Sequence, residues 1–453
     1  MNVQELKRIY FVGIGGIGMS AIARFFNERG AVVKGYDRTE TELTQKLAAE
    51  GMDVHYTDDV NLLDKDAQLV VYTPAIPRDH AELNWYRDNG YPVYKRSDAL
   101  QWISESMFAV TVGGTHGKTT ISTMIAYLLR ETGYGSNAFL GGVSVNYDKN
   151  YWSSDTQTAV IEADEYDRSF LKLRPDIAVL TAMDADHLDI YGNVEELEKA
   201  FIQYAGNIKA GGTLVVKHGL EKASLLKAPN TVTYSLQNDA ADIYARNIVQ
   251  KEGGYIYDVV SKDWMIEGLR LPIGGMHNVE NSVAAITVTQ LLGIEPEKVK
   301  AALAGFRGIR RRFEYIVKNE DVVYIDDYAH HPEELAALIS SAKRLFPKRK
   351  CVVAFQPHLF SRTRDFADGF ARSLDMADEI ILLDIYPARE LPMEGVSTQM
   401  IADRMGNPNH TILSKEGLLK YVEAKPLDLF ITAGAGDIDK LVNPVKEILE
   451  KKK

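Results

Sequence analysis

The chain has 453 residues, 45% hydrophobic and 25% charged, the balance of a globular protein with apolar cores, and at roughly 100–200 residues per domain it holds about two to four of them. A net charge of −11, with no basic run beyond Lys451-Lys452-Lys453, argues against a general nucleic-acid binder, which needs a phosphate-neutralising face. The single cysteine, Cys351, excludes an intramolecular disulfide or a cysteine metal cluster, and its setting, Cys351-Val352-Val353-Ala354-Phe355, reads as a buried strand. The start of the chain is polar, and no apolar run approaches the ~20 residues of a membrane span; the expectation is a cytoplasmic protein with no membrane partner.

In chain order, Ile9–Val12 reads as a strand, Met19–Glu28 as a helix, and Val32–Tyr36 and Leu69–Tyr72 as further strands. Strands alternating with helices argue for a parallel sheet covered on both faces. The cycle restarts at Phe108–Val112, followed by a glycine-rich turn and a helix from Thr119 to Glu131. Thr158–Ile161 and Ile177–Leu180 continue it as buried strands. From Gly211 to Leu271 the pattern is richer in strand, with Gly253-Gly254 a hairpin turn, and a helix follows from about 279 to 292. Strands recur at 322–325, 351–355, 380–383 and 429–432, which makes a third α/β unit. The restarts place boundaries near 105 and 305, giving domains of 1–105, 106–305 and 306–453.

Gly13-Ile14-Gly15-Gly16-Ile17-Gly18 follows the first strand and opens the first helix, and Asp37 ends the second strand. Such glycines let a backbone approach a diphosphate at a helix N-terminus. Alone, the pattern also fits a structural turn or an NAD-dependent oxidoreductase. Gly114-Thr115-His116-Gly117-Lys118-Thr119-Thr120 carries more information. Loop amides can cradle phosphates, Lys118 can reach the β- and γ-oxygens, and the Thr119 hydroxyl suits Mg²⁺. The general P-loop pattern has a glycine where this chain has Val112. Glu162-Ala163-Asp164-Glu165 and Asp184-Ala185-Asp186-His187 end buried strands, where carboxylates beside a phosphate loop can hold Mg²⁺. Asn278 and Asn281, in Met276–Asn281, either cap the following helix or bind a base edge. Arg310-Arg311-Arg312 stands before Phe313, Asp326–Pro332 ends a strand, and His358–Arg364 follows; an Arg-rich loop after a strand either binds phosphate or carboxylate, or is simply exposed.

In this order the motifs resemble the Mur ligases of bacterial cell-wall synthesis. The resemblance runs from the 11–18 turn through the 114–120 loop, Glu162–Glu165, Asp186-His187, His277-Asn278 with Asn281, Arg311–Phe313 and Asp326–Pro332 to Gly434–Asp437. It implies a three-domain α/β architecture: a Rossmann-like N-terminal domain, a P-loop central domain and a Rossmann-like C-terminal domain. Within the family the motifs fit the branch that joins L-alanine to UDP-N-acetylmuramate. That reading implies a UDP-sugar site at Gly15, Gly16, Ile17, Gly18, Asp37, Thr73, Ala75 and Ile76. It places ATP at Gly114 to Thr120 with His277, Asn278, Asn281 and Arg311, and metal at Thr119, Glu162 and His187 (two Mg²⁺ ions, with Mn²⁺ an alternative). Tyr328, His330, Arg362 and Arg364 would contact the amino acid, and Lys118, Glu162, His187 and His330 would carry the chemistry. The implied assembly is a monomer or weak homodimer. The rival within the family is a ligase that adds a whole tripeptide in murein recycling. Phe201 stands where related ligases carry a modified lysine, which implies no carbamylation, and Arg310 stands where a glycine is common.

Overall fold

The computed structural model describes residues 5–184, 188–388 and 390–452. They form three sheets, in two compact units: Met1–Arg246 with Asp258–Glu267 and Glu280–Leu303, and Asn247–Tyr257 with Gly268–Val279 and Ala304–Lys453.

The first sheet contains β1 (Arg8–Val12), β2 (Val32–Tyr36), β3 (Asp53–His55), β4 (Leu69–Tyr72) and β5 (Val93–Lys95), in the order β3-β2-β1-β4-β5. All its pairs are parallel. The order reverses beside β1, so the turn leaving β1 opens into the crevice where doubly wound sheets bind ligands. The short β3 and β5 were not evident from periodicity, because three-residue strands carry almost none.

The second sheet is built on β6 (Phe108–Gly113), β7 (Asn137–Ser144), β8 (Lys149–Trp152), β9 (Thr158–Glu162), β10 (Ile177–Leu180), β11 (Thr213–Lys217) and β12 (Asn230–Ser235), in the order β12-β11-β10-β6-β9-β7-β8. The pairs are parallel except β7 with β8. Val110 and Val112 are fully buried on one face of β6, and Ala109 and Thr111 on the other, as expected for a strand covered by helices on both sides. The β-rich stretch resolves into β13 (Ile243–Lys251), β14 (Gly254–Ser261) and β15 (Met265–Leu271). Between β13 and β14, Glu252 and Gly253 both take positive φ, 53° and 72°, the backbone of a tight reversal.

One apolar core joins the first two sheets. Phe25, from the helix Ile17–Glu28, packs its ring 5.3 Å from Phe139 of β7 and 6.4 Å from Tyr151 of β8. Arg24 on the same helix is 2% exposed and satisfies its charge on Glu50 (2.7 Å) and Asn150 (2.6 Å). Burying an aromatic side chain contributes about 1.5–3 kcal/mol, and a buried guanidinium persists only when fully paired. The helix after the glycine turn is therefore anchored to the central sheet. Phe201 is likewise core, its ring 5.3 Å from Phe170.

The third sheet has β16 (Glu314–Lys318), β17 (Val323–Asp327), β18 (Cys351–Phe355), β19 (Glu379–Leu382), β20 (His410–Ile412) and β21 (Leu429–Ala433), in the order β16-β17-β21-β18-β19-β20. Only β16 runs antiparallel to its neighbour. Cys351 is buried within it, as its apolar run indicates.

Candidate active site

The loop leaving β6 turns on two glycines. Gly114 has φ +120°, and a Cβ there would lie 2.2 Å from Thr181 Oγ1 and 2.8 Å from the Ala182 amide nitrogen. Gly117, at φ +79°, precedes the helix Lys118–Glu131, and its Cβ would lie 2.9 Å from Asn281 Oδ1. The conformation and the crowding both demand glycine, and the loop runs directly into the N-terminus of that helix, the end that favours an anion. The Thr115 amide donates to the Ala182 carbonyl at 3.2 Å, tying the loop to the segment after β10. Lys118 Nζ reaches the Gly114 carbonyl at 2.8 Å and Glu165 Oε1 at 2.7 Å. The Thr119 hydroxyl donates to Glu162 Oε1 at 2.9 Å, and the Gly141 amide to Glu162 Oε2, also at 2.9 Å. Burial pushes the pKa of both Glu162 and Glu165 up, against the pull of Lys118. A cation and two low-dielectric carboxylates thus converge at the helix start. His116 is mostly exposed, 3.5 Å from Asp184, and Thr120 lies in the first helical turn. His187, with Asp186, lies outside the described residues.

The glycine turn after β1 has different chemistry. Gly13 and Ile14 donate to the Tyr36 carbonyl at 2.8 and 3.0 Å, and Gly15 donates to Asp37 Oδ2 at 2.7 Å. No side chain caps the helix Ile17–Glu28 at Gly16, so its first amides remain available to an anion. A Cβ on Gly13 would lie 2.5 Å from Thr73 Cγ2, and one on Gly15 2.8 Å from Asp37 Oδ2. Together these segments line a cleft of about 600 Å³, with Gly15, Gly16, Asp37, Thr73, Ala75 and Ile76 in its wall. Ile17 and Gly18 open the helix beside it. His80, which caps the helix Ala81–Asp88 by accepting from the Leu83 amide at 3.3 Å, also lines the cleft; nothing in its spacing marked it.

On the helix Met276–Leu291, Asn278 is buried and its amide donates to the Gly274 carbonyl at 2.6 Å. The His277 ring stands over Gly275, 2.5 Å from where its Cβ would be.

At the C-terminal ends of β17, β18 and β21 a third cluster forms. Arg311 takes φ 61°, donates through Nε to Asp326 Oδ2 at 3.2 Å and through Nη2 to the Gly434 carbonyl at 2.5 Å. Its guanidinium carbon and that of Arg312 lie 5.2 and 5.5 Å from the Tyr328 ring centroid, within cation–π range. His330 packs 5.1 Å from Tyr328 and 6.1 Å from His358. Arg362 Nη1 donates to His358 Nδ1 at 3.2 Å. Burial lowers the pKa of His330 and holds its ring neutral, with Glu334 Oε2 3.3 Å from Nδ1. Arg364 is separate: it is half-exposed and pairs with its neighbour Asp365 at 2.7 Å. Glu334 belongs to this cluster but not to the residues singled out for it, and His358, at the start of the His358–Arg364 segment, joins it as well. Glu334 lies one helical turn from His330, which is the only sequence signal it had.

Three family models cover nearly the whole chain: Mur ligase family, catalytic domain, over residues 8–107; Mur ligase middle domain, over 112–289; and Mur ligase, glutamate ligase domain, over 311–436. The chain is a Mur ligase. It is 44% identical to a UDP-N-acetylmuramate–L-alanine ligase of Cytophaga hutchinsonii over 461 residues, covering 100% of this chain and 99% of that one. The crystal structure of a UDP-N-acetylmuramate–alanine ligase from Thermotoga maritima matches at a TM-score of 0.83 and 30% identity, covering 99% and 100% of the two chains. A murein peptide ligase from Psychrobacter arcticus matches at a TM-score of 0.67 and 23% identity, covering 97% and 99%; at that identity it speaks for the shared fold alone. The Mur ligase architecture accounts for the three sheets. Among the described residues no helix is long and apolar enough to cross a membrane.

Proposed function

We infer that this Mur ligase joins L-alanine to the lactyl carboxylate of UDP-N-acetylmuramate at the expense of ATP, in peptidoglycan precursor synthesis. The observation that carries it is the pairing of Lys118 with Glu165, beside Thr119 on Glu162, at the start of a helix that follows a glycine loop. The full-length likeness to alanine-adding relatives selects the substrates.

The chemistry follows from charge. A carboxylate attacking the γ-phosphate brings two anions together, so the site must supply fixed positive charge before the reaction. Lys118 does so, exchanging a contact with the Gly114 carbonyl or Glu165 for phosphate oxygens. The Thr119 hydroxyl and the Glu162 carboxylate are hard oxygen donors in a buried setting, which fits Mg²⁺; a bound ion would supply further charge on the phosphates. We assign His187 to a second ion, with Mn²⁺ able to replace Mg²⁺. The Gly15–Gly18 turn, Asp37 and the Thr73–Ile76 wall hold the UDP portion. Attack gives an acyl phosphate and ADP. The amine of L-alanine, held by Tyr328, His330 and Arg362, then attacks the carbonyl carbon, and phosphate leaves as the amide forms. A neutral His330 is able to accept the proton that the amine loses. Asn278, Asn281, His277 and Arg311 complete the nucleotide site in this reading, and the three domains divide near residues 105 and 305.

ADP release in the presence of UDP-N-acetylmuramate decides the substrate. We expect turnover with L-alanine at least 100-fold above that with the tripeptide L-alanyl-γ-D-glutamyl-meso-diaminopimelate. Turnover with the tripeptide alone would assign the chain to the recycling branch. Tight nicotinamide binding without ATP binding would move it out of ligase chemistry altogether.

A further inference from the structure

The last glycine of the first turn is not explained by backbone conformation, since Gly18 is the second residue of a regular helix and does not take a positive φ. It is explained by a side chain. A Cβ on Gly18 would lie 2.3 Å from Arg96 Nη1, 3.3 Å from Cδ and 3.4 Å from Cζ. The guanidinium of Arg96 therefore lies directly on the first turn of the helix Ile17–Glu28, beside the amides that face the UDP cleft. Its other amino group, Nη2, is 4.0 Å from Asp164 Oδ2. Asp164 is two residues beyond Glu162, the carboxylate that receives the Thr119 hydroxyl. Arg96 thus stands between the glycine turn and the acids beside the phosphate loop.

The scaffold fixes it there. Arg96 is the first residue of the helix Arg96–Ser106. Asp98 on that helix pairs with Lys172 at 2.5 Å, and Ser104 Oγ accepts from the Arg174 amide at 3.1 Å. Both partners lie in or just after the short helix Tyr166–Lys172 that follows Asp164. The root of the side chain is tied to the same segment as the acid it faces. Yet the Arg96–Asp164 contact is long beside the 2.7 Å of Lys118–Glu165. The Arg96 side chain keeps 22% of its surface exposed, and a guanidinium carries more N–H donors than one long contact uses.

Which anion is set by what the reaction must move. The diphosphate already has the glycine amides and a helix N-terminus. The substrate carboxylate has to be presented from that turn toward the γ-phosphate, past Glu162, Asp164 and Glu165, which all repel it. We propose that Arg96 binds the lactyl carboxylate of the sugar nucleotide and aims it at the γ-phosphate. A guanidinium suits this because it can grip a carboxylate through two parallel N–H···O bonds and fix its plane. The proposal rests on the ligase reading above for the identity of the carboxylate.

The test separates the two. Binding is measured by calorimetry, without ATP, for UDP-N-acetylmuramate and for UDP-N-acetylglucosamine, which is the same nucleotide sugar without the lactyl arm. The wild type should prefer the first, and in Arg96→Ala that preference should fall at least tenfold while affinity for UDP-N-acetylglucosamine changes less than threefold. Arg96→Lys, which keeps the charge but not the fork, should retain part of the preference and lose most of kcat. Added guanidinium should restore turnover to Arg96→Ala. Equal weakening of both nucleotides would put Arg96 on the diphosphate and overturn the proposal, and so would an unchanged preference. An unchanged melting temperature of each variant excludes misfolding as the cause, and Arg96→Lys carries the test if Arg96→Ala fails to fold. If the wild type binds UDP-N-acetylmuramate selectively but forms no amide, the ligase reading fails and the Arg96 assignment still stands or falls on binding.

Discussion

Two loops of this Mur ligase share one local plan, a strand, a glycine turn and a helix, and differ in where their charge comes from. After β6 the cation is built into the loop: Lys118 starts the helix and is already held by the Gly114 carbonyl and Glu165. After β1 the turn has no cation of its own, and its Gly15 amide is given to Asp37. Positive charge reaches it from side chains outside the turn, Arg96 across the first helical turn and Arg38 in the wall of the cleft. A transferring phosphoryl group develops negative charge during reaction and needs a preset counter-charge. A diphosphate that is only held needs amides and a helix dipole. The contrast teaches that a glycine turn specifies a phosphate-sized cradle, whereas the side chains around it decide whether the phosphate reacts or is merely held.

The largest effect is expected at the built-in cation. Lys118→Ala should lower kcat by at least about 10³-fold, in line with loss of a major electrostatic contact in the transition state, and leave UDP-N-acetylmuramate affinity within about threefold, by single-turnover assay and calorimetry. Equal loss of both would mean that the two loops are not separable. A smaller effect separates the glycines themselves. Gly114→Ala combines φ +120° with a Cβ only 2.2 Å from Thr181 Oγ1 and should cost about 1–3 kcal/mol of stability together with ATP affinity. Gly16→Ala meets nothing nearer than 3.6 Å and should change the melting temperature little. Urea titration of both variants checks this; comparable losses would mean that the first turn is as strained as the second.

A pH-dependent effect concerns the buried acid bonded to Tyr10 of the first sheet. The Tyr10 hydroxyl donates to Glu82 Oε2 at 2.7 Å and lies 2.7 Å from His55 Nε2. Burial pushes the Glu82 pKa from 4.5 up to about 7 and lowers that of His55. Across that window the folded carboxyl keeps a proton that the unfolded one has lost, so stability falls as pH rises from about 4.5 to about 7. Glu82→Gln should flatten this slope by up to about 1.4 kcal/mol per unit, read as melting temperature against pH. A slope unchanged in the variant would remove Glu82 as its source.

Much of this molecule was legible before folding was considered. The strands from Ile9 to Val12, 108 to 112, 177 to 180 and 351 to 355 appear as read, to within a residue, because buried parallel strands are uninterrupted apolar runs. Gly114, Gly117, Lys118 and Thr119 were legible because loop geometry is a local property, set by neighbours a few residues apart. The C-terminal cluster was only partly so. Tyr328, His330 and Arg362 come together, whereas Arg364, two residues from Arg362, pairs with Asp365 at the surface; one helical step is enough to turn a side chain away.

What the sequence by itself determined is therefore the set of turns, the strands that carry them and the family to which their order belongs. The tertiary structure alone decided the charge pairing: Lys118 with Glu165, Arg311 with Asp326 and the Gly434 carbonyl, and Arg96 between Gly18 and Asp164. The physical reason is that an ion pair depends on distance in space. Lys118 and Glu165 are brought within reach by the parallel strands β6 and β9, and Arg311 and Asp326 by the antiparallel pair β16 and β17, and no spacing along the chain records which ends will meet.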